Sequence, residues 1–320
     1  MRGSQWSRRG LFGLVSAGAA ALLGGTAGAS GRVTSVQVGG TLAALAVSPV
    51  TGLVYAADQA SGMVVVLDPD AARVVAALAV GGEPSDVAVD AERIYVANPA
   101  GGTVLAFDSQ THRFLSAVSA GAGASALAID PQANLVYAVS GKTGTFAVLD
   151  SISLTQQDLL PAPKPGLAGI ALDRGRRRAY CTSPNTNSVE ICDLDAGAFT
   201  ASVPVGASPT GIDVHELSGA VFVANSAIHH MSIVDGAARA QVKTVLLRSE
   251  ASSLAVHQGS DVVYTNGGQN GLSRVDGQTG TLTGELSLGV NPGAVAVDQR
   301  TRTVYVTDPL HGTVNVVRDF

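Results

Sequence analysis

Charge is scarce in this chain, and so are aromatic rings. Asp, Glu, Lys and Arg together make up 14% of the 320 residues, and Phe, Trp and Tyr make up 4%. With 46% apolar residues and 38 glycines, the chain is nevertheless no disordered polymer, and its apolar fraction can fill a sizeable core. Positive charge is the scarcer sign, leaving a net charge of −5. Because Arg2, Arg8 and Arg9 stand in the first 29 residues with no acid beside them, the remainder carries −8. A surface that acidic argues against nucleic acid or an anionic membrane as partner. Tryptophan occurs once, at Trp6 near the amino terminus, so the rest of the chain lacks the usual stacking platform for sugars.

Catalytic signatures are missing as well. Gly-x-Ser-x-Gly is absent, and no heme or copper motif is present. Gly141-Lys142-Thr143 looks like part of a phosphate loop, but position 136 is Val where that motif needs Gly. His215-Glu216 does not open a zinc helix, since Gly219 occupies the place of the second His. Arg176-Arg177-Arg178 reads as a solvated basic turn. No stretch shows a convincing helical period.

The chain begins with an address. Ser7-Arg8-Arg9-Gly10-Leu11-Phe12-Gly13 is a twin-arginine pair backed by apolar residues, and no ionisable group occurs from Gly10 to Ala29. Ala27-Gly28-Ala29 supplies the small-x-small pattern of a signal-peptidase site. Residues 1–29 therefore read as a twin-arginine export signal, with an uncleaved membrane anchor as the other reading. The expected location is extracytoplasmic: secreted, periplasmic or associated with the cell wall.

From residue 30 to 320 the chain repeats one unit seven times. The aromatic residues Tyr55, Tyr95, Tyr137, Tyr180, Phe222, Tyr264 and Tyr305 lie 40 to 43 residues apart. Asp68, Asp108, Asp150, Asp193 and Asp235 each follow their aromatic after 13 residues, and Asp276 follows after 12. A short apolar strand precedes each aromatic, starting near residues 43, 86, 126, 169, 211, 253 and 294. Each unit divides into four β runs separated by turn residues. A four-stranded unit of about 40 residues is the mark of a β-propeller blade. The expectation is one all-β domain, a seven-bladed propeller over 30–320. The last unit lacks a fourth strand, and the unmatched run Arg32 to Val38 would supply it and close the ring.

Tyr95-Val96-Ala97-Asn98, Phe222-Val223-Ala224-Asn225 and Tyr305-Val306-Thr307-Asp308 resemble the YVTN-type propeller repeat of extracytoplasmic and surface-layer-like bacterial proteins of the YncE kind. The resemblance covers residues 32–320 and implies the fold. It names no ligand, because the repeat residues are structural. More distant seven-bladed relatives of that family include streptogramin B lyases, phosphogluconolactonases and the heavy subunit of methylamine dehydrogenase, and no residue set carries over from them.

Candidate site residues are therefore the departures from the repeat. Asp213 stands where the other six units have Ala, so its carboxylate either contacts a ligand or metal in the channel or bonds a channel water. His229 and His230 fall in the second-to-third-strand loop of blade five, and His311 in the matching loop of blade seven beside Asp308. They form either a metal or acid/base site or solvated loop histidines. Glu83, Asp86, Lys164, Arg248, Glu250 and Asn291 lie on connections leading to the same face, and Glu83, Asp86, Arg248 and Glu250 are the ligand-binding candidates. His215 and His257 replace a turn Asp on the opposite face and read as turn residues. Cys181 and Cys192, the only two cysteines, fall symmetrically about a hairpin centred between Thr186 and Asn187. That symmetry makes them face each other, as a disulfide or as a pair of core thiols.

Two functions follow from these residues. The first is a monomeric, non-catalytic exported propeller that binds a protein partner or small ligand at the channel mouth. It would require no cofactor, no nucleic acid and no membrane span once the signal is removed. The second is a lyase or lactone hydrolase using a His/acid pair or a divalent metal in the channel. Its candidates are Asp213, His229, His230 and His311.

Overall fold

The computed structural model describes residues 31–320. The export-signal expectation over 1–29 lies outside the described residues. Twenty-eight strands form seven four-stranded antiparallel sheets, and no described residue is helical. Six sheets are built from consecutive strands. Their innermost strands are Leu42–Val47, Asp86–Val89, Ala124–Asp130, Ile170–Asp173, Pro209–His215 and Leu254–His257. The seventh begins at Val295–Val297 and takes its outermost strand from Arg32–Gln37, which pairs with Thr313–Arg318. The protein is a seven-bladed β-propeller closed by its first strand, and no blade is left short.

The repeat explains the packing. Each second strand sends its aromatic into the neighbouring blade, and Tyr55, Tyr95, Tyr137, Tyr180, Phe222, Tyr264 and Tyr305 are all buried. Removing an apolar side chain of this size from water is worth about 1.5–3 kcal/mol. The core is accordingly divided into seven clusters, one per blade interface. One of them joins Val36 of the closing strand to Leu42, Val54 and Tyr305.

The periodic aspartates hold the turns between third and fourth strands. Asp68, Asp150, Asp193 and Asp235 each accept two backbone N–H groups from the residues that follow. Asp108 and Asp276 also accept the hydroxyl of a following Thr. These bonds hold the carboxyls of Asp108, Asp150 and Asp276 below their usual range. Four residues after each Asp the backbone turns left-handed, at Ala72, His112, Leu154, Gly197, Arg239 and Gly280, with φ between 50° and 59°. A bulge follows in each of these six strand pairs. The closing pair has no such turn, and its register runs unbroken from Arg32 opposite Arg318 to Gln37 opposite Thr313.

Candidate functional site

The seven innermost strands begin around a cavity of about 460 Å³ at one end of the channel. Its wall mixes Gly, Ala, Ser and Thr with the aliphatic side chains Leu42, Leu45, Ile170, Ile212 and Leu254, and glycine stands where the strands approach most closely. A Cβ at Gly169 would stand 2.4 Å from the Thr210 carbonyl oxygen, and one at Gly211 would stand 2.7 Å from that of Ser252. Hydroxyls tie one blade to the next around the rim. Ser85 donates to the Ser125 carbonyl at 2.8 Å, and Thr210 to the Ser252 carbonyl at 3.1 Å. Asp86 is the single ionisable residue in the lining.

Asp86 reaches across the blade boundary. One carboxylate oxygen accepts the Val87 N–H and the other accepts the Leu127 N–H of blade three, both at 2.8 Å. Burial outweighs these two bonds and pushes the carboxyl up to about 7. Asp213 behaves alike further along the channel wall. Its oxygens accept the N–H groups of Val214 and of Val256 in blade six, again at 2.8 Å, and burial raises it to about 6. The residue that departs most from the repeat is thus bonded to the backbone of the adjoining blade, which accounts for both of its oxygens.

The other candidates do not gather at the cavity. His229 Nε2 lies 3.1 Å from Glu250 Oε1, and both side chains are exposed. The Glu250 backbone and His229 hold that carboxyl below its usual range. Arg248 pairs with Glu285 at 3.1 Å. Burial lowers His230, while His311 Nδ1 lies 2.6 Å from the buried Asp308 of its own turn. Glu83 is exposed. Among the described residues no group of three or more His, Cys, Asp and Glu side chains is placed to hold a metal ion. The structure brings His229 together with Glu250 and leaves His311 with its own Asp308.

The cysteine geometry differs from the expectation. Cys181 lies opposite Glu190, and Cys192 lies opposite Ala179, so the two are diagonal neighbours on one face of the sheet. Both are free and buried. The hairpin closes on Ser183 opposite Ser188, with Asn187 left-handed at its end, which moves its centre to between Asn185 and Thr186. Diagonal partners stand roughly 7–8 Å apart, outside disulfide range. Burial raises both thiols, Cys192 up to about 12.

On the opposite face, His215 and His257 occupy the first-to-second-strand turns and bond Ser218 and Ser260 at 2.9 and 2.8 Å. Their Nε2 atoms also lie 3.0 and 3.2 Å from the carbonyls of Gln258 and Gln299 in the following blades. The residue after each turn head takes part in the same belt. Arg174 pairs with Glu216, Gln258 donates to the Val214 carbonyl, and Gln299 donates to that of Val256. Sequence reasoning passed over this belt. Its signal was present in the repeat as a change from Pro49, Ala91 and Pro131 in blades one to three to Arg174, Glu216, Gln258 and Gln299 in blades four to seven.

No family model matches the chain, and no curated protein does. Solved structures match in number, 1747 chains in all, as expected when the likeness is one of architecture. One is a chain of hydrazine synthase from Kuenenia stuttgartiensis, at TM-score 0.75 and 15% identity, covering 87% of this chain and 95% of that one. Another is U3-55K, at TM-score 0.77 and 11% identity, covering 89% and 98%. At such identities the likeness shows the propeller fold alone.

Proposed function

We propose that this is an exported, non-catalytic propeller of the YVTN-type kind that binds a ligand across the channel mouth. The twin-arginine pattern in residues 1–29 supports an extracytoplasmic location. The observation that carries the binding reading is the mouth cavity itself. All seven blades line it, Ser and Thr hydroxyls stand among aliphatic residues in its wall, and Asp86 is its one ionisable group. A carboxylate in that setting selects a cation, so the ligand is a small molecule, or a protruding side chain of a partner, that bears an ammonium or guanidinium group.

Because burial raises Asp86 to about 7, binding of a cation is linked to loss of its proton. Calorimetric titration with a panel of small amines and guanidines at pH 6 and pH 8 tests this. Saturable binding that tightens at pH 8 and disappears in Asp86→Ser is expected. Absence of saturable binding across the panel, or binding indifferent to the substitution, would overturn the reading.

A further inference from the structure

The belt of side chains on the face opposite the mouth is incomplete. From blade four round to blade one, Arg174, His215, His257 and Arg300 contact the following blade, and Gln258 and Gln299 reach back to the preceding one. Blades one to three offer Pro49, Ala91 and Pro131 at the corresponding positions, none of which has a side-chain polar group to reach across with. A cavity of about 480 Å³ opens in that gap. Its apolar wall comes from Val47, Val89 and Ile129, where three innermost strands end, together with the two prolines.

The cavity also has a polar side, and its orphaned atoms are donors. Arg93 forms no ion pair among the described residues. Its Nη2 has only a long contact of 3.4 Å to the Ile152 carbonyl, and its Nη1 is buried without a partner. The Tyr95 hydroxyl is likewise buried without a hydrogen bond, as is that of Tyr180 from the same register, whereas Tyr55 reaches His112 and Tyr264 reaches the Phe320 carbonyl. Burial pushes the Tyr95 phenol up to about 12, so it keeps its proton. The acids beside them do not satisfy these donors. Asp90 and Glu92 both line the cavity, but one Asp90 oxygen is taken by the Glu92 and Arg93 N–H groups, Glu92 is exposed, and neither acid pairs with Arg93 or Tyr95. Arg174, on the far side, is already paired with Glu216. A buried donor without an acceptor costs roughly 1–3 kcal/mol, and a ligand oxygen would recover it.

We infer that this cavity is a second ligand site, which takes a small monocarboxylate with an apolar body. The hydrocarbon lies against Val47, Val89, Ile129 and the prolines, and the carboxylate accepts from Arg93 and Tyr95. Arg93 and Tyr95 both line the cavity, and no carboxylate anchors the guanidinium. The site shares no residue with the mouth, and the two differ in the charge they select.

Chemical-shift mapping and calorimetry on the mature protein with hexanoate, octanoate and phenylacetate, alongside the matched amines and alcohols, form the test. Saturable binding of the carboxylates is expected, with shifts confined to residues near 47–49, 89–95 and 129–131. Arg93→Gln should weaken it at least tenfold, and Ala91→Trp, an exposed substitution that fills the entrance, should abolish it. Asp86→Ser should leave it unchanged, so failure here is distinguishable from failure at the mouth. No saturable binding, equal binding of amines, or affinity unaltered in both cavity variants would overturn the inference.

Discussion

Asp86 in blade two and Asp213 in blade five make the same connection at two levels of the channel. Each spans its own backbone and the innermost strand of the next blade with two 2.8 Å hydrogen bonds. Ser253 makes the corresponding bond with a neutral group, its hydroxyl accepting the Val295 N–H at 2.9 Å. The ring therefore uses both charged and uncharged versions of one inter-blade link.

This pair sets a pH dependence. Burial raises Asp86 to about 7 and Asp213 to about 6, above the ordinary carboxyl value of 3.8 in each case. The folded chain thus holds protons that the unfolded chain releases, and stability falls as pH rises from about 4 to about 7. About 1.4 kcal/mol is at stake for each pH unit crossed by a group in that window. Asp86→Ser copies the link that Ser253 makes, so it should keep the inter-blade bond and flatten the decline. Urea unfolding at pH 4, 5.5 and 7 measures it; an unchanged slope in the variant would show that the burial of Asp86 is not its source.

Ring closure depends on six residues far from the rest of their blade. Val36 is buried among Leu42, Val54 and Tyr305. Val36→Asp puts an unpaired charge there and should cost about 3–5 kcal/mol. Deleting residues 31–38 should expose the edge of Thr313–Arg318 and promote association between chains. Denaturant midpoints and size-exclusion profiles check the two effects separately.

The left-handed turn positions offer a paired test of opposite signs. Arg239 is exposed, with φ of 55°, and Arg239→Gly should stabilise by about 0.5–1 kcal/mol. At Gly197 the φ is 59° and a Cβ would meet nothing within 4 Å, so the cost of Gly197→Ala, about 1 kcal/mol, is purely one of backbone conformation. Equilibrium unfolding of both variants should give shifts of opposite direction.

The two thiols should be silent in the native state. Cys181 and Cys192 are buried, raised by burial and diagonal rather than opposed. A thiol reagent should titrate neither in buffer and both in denaturant. Melting should be independent of reductant; a reductant-sensitive melt would show that the pair can bridge.

The ring itself was legible because every blade must satisfy the same neighbours, and seven repetitions of aromatic, Asp and apolar strand leave one architecture. Local departures were harder to interpret. A four-residue loop ending on left-handed Asn187 moves the hairpin centre by one residue, and this slides Cys192 two rungs from the position facing Cys181. Asp213 stood out as a carboxylate among alanines, but its acceptor role depends on Val256, 43 residues away, and on the spacing between blades. Asp86 drew notice as a mouth residue, and its bond to Leu127 required the same geometry. The Arg93 and Tyr95 cavity escaped because its cause is an absence, three positions without a side chain long enough to bridge.

The unbroken register of the closing strand also sets how the ring responds to force. Arg32 and Arg318 share the first rung, so the two ends of the described chain leave the sheet side by side. Tension that pulls them apart acts across the hydrogen bonds one rung at a time, as a zip opens, and meets no interlocking bulge. The ring is thus closed around its whole circumference, yet its closing pair is the place where a mechanical load on the two ends would begin to peel it open.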